Sequence, residues 1–100
     1  MVKHIIMWKL KDCAGGFSKD ENAQRIKQRL EELQHRIQEI KYLEAGININ
    51  DLPHAFDIVL YSEFQHRDDL AMYQNHPAHL EFKEFISGLR SDRRVVDYEV

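Results

Sequence analysis

The segment Tyr42–Phe64, YLEAGININDLPHAFDIVLYSEF, carries two strand signatures with only a turn between them. From Tyr42 to Asn50 the odd positions Leu43, Ala45, Ile47 and Ile49 are apolar, while Glu44, Gly46 and Asn48 are not. That is the period-two alternation of a strand with one buried face. Asp51-Leu52-Pro53-His54 reads as the turn. From Ala55 to Phe64 apolar side chains occupy both parities, with Phe56, Ile58, Leu60 and Phe64 on one and Val59 and Tyr61 on the other. This second strand is therefore expected to be buried on both faces.

Helical patterns flank the pair. Upstream, Ser18-Lys19-Asp20-Glu21 has the form of a capping box, and Ala23, Ile26, Leu30, Leu33 and Ile37 recur at three- and four-residue spacing as one apolar stripe. Before it, Val2–Leu10 reads as a strand with apolar residues on both parities, and Lys11–Phe17, with Gly15-Gly16, as a loop. Downstream, Arg67–Tyr73 reads as a helix, Asn75-His76-Pro77 interrupts it, and Ala78–Leu89 resumes it. Arg94–Val100 closes the chain as a strand, with Val95, Val96, Tyr98 and Val100 around Asp97 and Glu99.

The order strand, helix, strand, strand, helix, strand is the α+β pattern of a ferredoxin-like βαββαβ antiparallel sandwich. Right-handed crossovers place the first and third strands centrally and the others at the edges. Two helices cover only one sheet face, so the other is expected to expose Met, Trp, Tyr or Phe as a contiguous patch. A second copy of the chain is the simplest cover, giving a homodimer with facing sheets.

The composition, 100 residues with 43% apolar and 31% charged side chains, fits one domain spanning 1–100. A net charge of -3 argues against a nucleic-acid partner or a polybasic membrane contact. No apolar run approaches the ~20 residues of a membrane span. Met1–Trp8 is too short an apolar stretch for a signal peptide, and Cys13 is the lone cysteine; a cytoplasmic location is expected. No glycine-rich phosphate loop, Gly-x-Ser-x-Gly elbow or dinucleotide fingerprint occurs, so no cofactor is expected. The run Arg90-Ser91-Asp92-Arg93-Arg94 reads as a solvated turn.

Two of the six histidines stand where local physics is suggestive. His4 shares its strand parity with Ile6 and Trp8, and desolvation there favours a neutral imidazole. It is either a base or donor, or a core histidine satisfied by a backbone carbonyl. In Tyr73-Gln74-Asn75-His76-Pro77-Ala78-His79, Pro77 at a helix start puts His79 in the first turn. A neutral imidazole there can take a proton or hydrogen-bond a carbonyl. Otherwise His76 merely caps the helix and His79 points to solvent. His76 and His79 with Glu81 and Glu84 lack a recognised metal-ligand pattern, and no metal is expected. Cys13 is read as a free loop thiol.

Taken together, Val2-Lys3-His4-Ile5, Gly46-Ile47-Asn48, Asp57–Phe64, Tyr73–His79 and Val95-Val96-Asp97-Tyr98-Glu99 resemble the stress-responsive α/β-barrel domain family, in order and over nearly the whole chain. The resemblance implies a dimeric α/β barrel of ferredoxin-like protomers. A plant polyketide-cyclase branch of that family performs cofactor-free aldol chemistry with a first-strand histidine and the second histidine of His-Pro-x-His. By position these are His4 and His79, and Tyr73 matches a tyrosine lining that branch's pocket. This chain has no tyrosine in Lys19–Glu39 and has Phe56-Asp57 where that branch has a further histidine. The expected site comprises His4, Tyr73 and His79 as catalytic groups, with Trp8 and Phe82 as ligand-binding walls of a largely apolar cavity between sheet and helix. The expected ligand is a small hydrophobic or carbonyl compound, and the expected chemistry lyase-, cyclase- or isomerase-like. The alternatives are a non-catalytic stress-response barrel and, by fold analogy, a cofactor-free oxygenase.

Overall fold

In the computed structural model, which describes residues 1–100, strand β1 (Val2–Leu10) hydrogen-bonds antiparallel neighbours on both sides. After it come β2 (Cys13–Ala14), β3 (Phe17–Ser18), α1 (Lys19–Arg36), β4 (Tyr42–Ile47), β5 (Ile58–Phe64), α2 (Arg67–Asn75), α3 (Pro77–Ser87) and β6 (Arg90–Glu99). The sheet order is β4-β5-β1-β6, all antiparallel, so the first and third long strands are central. This is the ferredoxin-like arrangement.

Helix α1 starts where its capping box closes: Ser18 Oγ accepts from the Glu21 N–H at 3.2 Å and Glu21 Oε1 accepts from the Ser18 N–H at 2.9 Å. Its stripe of Ala23, Ile26, Leu30 and Leu33 is buried. One face of the sheet meets the helices, because Val2, His4, Ile6, Trp8 and Leu10 of β1 and Ile58, Leu60, Ser62 and Phe64 of β5 all turn that way and are buried.

Several boundaries differ from those expected. The Lys11–Phe17 loop contains a small hairpin, β2–β3, because Gly15 and Gly16 supply the positive φ values, 59° and 85°, that a tight two-residue turn requires. Asn22 Nδ2 ties the hairpin to α1 by donating to the Ala14 carbonyl at 3.2 Å. β4 ends at Ile47 instead of Asn50, since the Asn48 and Asn50 side chains accept from the Asn50 and Leu52 N–H groups and turn the chain away. Ile49 is therefore 97% exposed and belongs to no strand face. β5 begins at Ile58 rather than Ala55. Asp57 precedes it as a clamp, its N–H donating to the Trp8 carbonyl at 2.9 Å and its carboxylate accepting from the Leu10 N–H at 2.7 Å. β6 begins at Arg90, so the basic run read as a turn is the first half of an edge strand.

Sidedness also needs correcting. Within the chain β5 is buried on one face only; Val59 and Tyr61 opposite are half-buried. Trp8 lies on the helix-covered face at 3% exposure and contributes nothing to the open one. The open face carries Ile5, Met7, Val59, Tyr61 and Val96. At one end of it Lys3 Nζ donates to Tyr61 at 2.7 Å and pairs with Glu63 at 3.0 Å.

Two substitutions separate packing from capping. Leu30→Ala, at a side chain with no exposure, should cost about 3 kcal/mol through loss of transfer energy and an unfilled cavity. Ser18→Ala should cost about 1 kcal/mol. Urea denaturation should show both as shifts of midpoint at unchanged slope.

Candidate functional site

The local fold of Gln74–His79 follows from one proline. Pro77 occupies the first turn of α3, and the preceding residue, His76, is held extended at φ -67° and ψ 138°. His76 both ends α2 and caps α3, with Nδ1 accepting the Ala78 N–H at 3.0 Å. The joint between the helices is that single residue. It turns His79 inward, to 8% exposure, and His79 Nδ1–H donates to the Gln74 carbonyl at 3.1 Å. Nε2 then carries the lone pair of the neutral ring.

His79 lines a cavity of about 330 Å³ between α2 and α3 on one side and β1 and β6 on the other. Tyr73 stands against it, with ring centroids 4.4 Å apart. Ile6, Trp8, Phe82 and Ile86 form the apolar wall, Trp8 and Phe82 meeting edge to face at 5.8 Å. The rest of the lining is polar or charged: Gln74, Asn75, Lys83, Arg90 and Arg93. The expectation of a largely apolar cavity is thus corrected, because β6 extends back to Arg90 and delivers two arginines.

His4 does not line the cavity. It sits one layer behind, 1% exposed, its ring 5.9 Å from Tyr73 and 6.4 Å from Phe64. No backbone carbonyl satisfies it. Its Nδ1 hydrogen-bonds the carboxylate of Asp97, its cross-strand partner on β6. His4 Nε2 is the one sealed side-chain polar atom in the chain without a partner. The Tyr73 hydroxyl and His79 Nε2 also have no protein partner, yet neither is sealed, so both open onto the cavity they line.

Sequence reasoning missed Asp97, Lys83, Arg90 and Arg93. The polar parity of the last strand, Asp97 and Glu99, was visible, but only the register with His4 gives Asp97 its place.

Burial, above all, pushes the His79 imidazole below its ordinary range; the Gln74 carbonyl works against this, and the charges of Lys83, His4 and Arg93 add to the depression. Tyr73 is driven well above the ordinary phenol range by burial, with Arg93 opposing. At neutral pH the cavity therefore presents a neutral imidazole acceptor beside a neutral phenol donor. No group of three or more His, Cys, Asp or Glu side chains is placed to share a metal ion, and Cys13 is exposed on β2.

A ferredoxin-like sandwich with a cavity between sheet and helices, lined by the second histidine of a His-Pro-x-His joint, defines a class of α/β-barrel protomers. The chain belongs to the stress-responsive A/B barrel domain family, whose model matches residues 2–100. It is 33% identical over 82 residues to an uncharacterised protein of Streptomyces coelicolor, covering 79% of each chain. A dimeric protein of unknown function and ferredoxin-like fold from Bacteroides fragilis superposes with a TM-score of 0.87 at 34% identity, over 99% of this chain and 95% of that one. The hydroxynitrile lyase of Passiflora edulis gives a TM-score of 0.82 at 21% identity, over 99% and 92%, a likeness of fold alone.

The His79 environment sets a pH dependence. Its folded pKa lies below the unfolded value of about 6.5. Between the two the unfolded chain binds the proton and the folded chain does not, so stability is full above about 6.5 and falls as pH drops through that window. Imidazole NMR should give a His79 midpoint below 6.5, and His79→Gln should flatten the acid-side loss of stability.

Proposed function

We infer that this protein binds a small carbonyl compound in the cavity and moves a proton on it without a cofactor. The observation that carries this reading is the pairing, on one cavity wall, of an unprotonated His79 Nε2 with the Tyr73 hydroxyl, their rings 4.4 Å apart. In this scheme Nε2 takes a proton from the carbon next to a carbonyl, or from a hydroxyl next to a scissile carbon–carbon bond. Tyr73 donates to the carbonyl oxygen as negative charge develops there. Returning the proton from His79 to another carbon completes an isomerisation. In a lyase reaction the deprotonated hydroxyl becomes a carbonyl as the carbon–carbon bond breaks, and the His79 proton passes to the departing carbanion. In a cyclisation the carbanion adds to a second carbonyl of the same substrate, whose oxygen takes the Tyr73 proton, which the proton held on His79 replaces. Trp8 and Phe82 give the apolar part of the ligand its surface. His4 is a positioning residue: held by Asp97, it supports the Tyr73 ring from behind.

The working form in this reading is a homodimer. The open sheet face offers Ile5, Met7, Val59 and Val96 as a patch, and the Bacteroides fragilis relative is a dimer. Met7→Glu combined with Val59→Glu should sediment as a monomer at micromolar concentration where the parent sediments as a dimer.

The chemistry is tested by hydrogen–deuterium exchange next to the carbonyl in a panel of small aldehydes and ketones, followed by NMR. Exchange above the buffer rate is expected, with losses of about 10²- to 10⁴-fold in His79→Ala and smaller losses in Tyr73→Phe. Ligand binding with no exchange in the parent chain would instead favour a non-catalytic binding barrel.

A further inference from the structure

The cavity holds a cluster of positive charge that proton transfer by His79 and Tyr73 does not require. Lys83, Arg90 and Arg93 line it, no Asp or Glu does, and none of the three makes an ion pair. Of the acidic residues adjacent to them in sequence, Asp92 is engaged by Arg94, and Glu84, beside Lys83, neither pairs with it nor lines the cavity. In a chain of net charge -3, three unpaired cations around one pocket are a local choice rather than a general basic character.

The backbone explains how two of them come to share the pocket. Arg90 and Arg93 are three residues apart on one strand, so regular alternation would send them to opposite faces. The β1–β6 register shifts between Lys9 and Leu10: Lys9 faces Asp92 but Leu10 faces Arg90, leaving Ser91 as an extra residue. This bulge reverses the alternation, so that Arg93 opposite Trp8 and Arg90 opposite Leu10 both take the helix-bearing face. Arg94, opposite Met7, takes the other.

We propose that the cavity takes a small carbonyl compound bearing a carboxylate, its anionic head held by Arg90, Arg93 and Lys83 and its carbonyl turned toward His79 and Tyr73. The planar forks of two arginines suit a carboxylate, and a volume of about 330 Å³ suits a small acid. Arg93 lies close enough to act electrostatically on both Tyr73 and His79, which puts the anion site next to the acid–base pair. The carbonyl's orientation rests on the function proposed above; the carboxylate's seat does not.

The test compares 2-oxobutanoate with its methyl ester, which keeps the ketone and loses the charge. Binding is followed by amide and imidazole shifts, and exchange next to the ketone is measured on the same samples. The acid should bind about tenfold or more tighter than the ester, and added salt should shrink that advantage. Arg90→Gln and Arg93→Gln should each reduce the preference toward parity, while Arg94→Gln, on the opposite face, should keep it. Equal binding of acid and ester, a preference untouched by Arg90→Gln and Arg93→Gln, no binding of either compound, or displacement by inorganic phosphate more readily than by acetate would overturn the carboxylate site. A salt-sensitive, arginine-dependent preference for the acid without any exchange would uphold the anion site and overturn the acid–base reading alone.

Discussion

β1 is paired along its whole length with β6 on one side and from Val2 to Trp8 with β5 on the other, and its alternation sets what every other element can do. Because Val2, His4, Ile6, Trp8 and Leu10 turn toward the helices, they form the floor on which α1 packs and where Trp8 meets Phe82 of α3. Because Lys3, Ile5, Met7 and Lys9 turn away, the opposite face stays half-exposed. Shifting this strand by one residue would exchange the two sets and bring lysines into the core, so its register is strongly specified. The Asp57 clamp on Trp8 and Leu10 adds hydrogen bonds at the far end of the strand, where the ladder to β5 stops.

On that floor the pairing of His79 with Tyr73 arises from helix geometry rather than from the sheet. Two separable effects act on His79: burial raises the free energy of the cation and keeps the ring neutral, and the Gln74 carbonyl fixes which nitrogen bears the hydrogen. The second acts against the first on the pKa, since accepting from Nδ1–H also favours the charged ring. Burial prevails with help from neighbouring positive charge. A bound anion would weaken that repulsion and make the imidazole a better base, so occupancy of the arginine site and proton affinity at His79 are linked.

The periodicities that make elements were legible in the chain, and the registers that join them were not. The 3.6-residue stripe from Ala23 to Leu33 and the alternation at Leu43, Ala45 and Ile47 declare themselves locally, and together they determine the order of the fold. His79 was legible because Pro77 forces a helix start at a known position, whereas Tyr73 was legible only through the family resemblance. His4 was legible as a buried histidine on the helix-bearing parity but not as a residue screened from the cavity by Tyr73, a matter of side-chain packing. Arg90 and Arg93 were hidden by the bulge, because a single extra residue reverses which parity faces inward and no local pattern announces it. The Gly15-Gly16 hairpin was legible in principle, since paired glycines are a turn signal, but strands of two residues have no periodicity to read.

The one-residue joint at His76 divides the molecule by how much change in length each connection can absorb. An insertion between α2 and α3 would separate the Gln74 carbonyl from His79 and rotate the ring out of its place, so that segment can vary in side chain but not in number of residues. Between the Asn48 and Asp57 contacts that tie down its two ends, the stretch from Ile49 to Phe56 is under no such restriction: much of it is exposed, its turns are closed by Asn48 and Asn50, and none of it lines the cavity. Lengthening or trimming there would reshape the rim of the open sheet face and leave the pocket as it is. Diversification among chains of this architecture therefore has a route through the open sheet face that leaves the cavity lining unchanged.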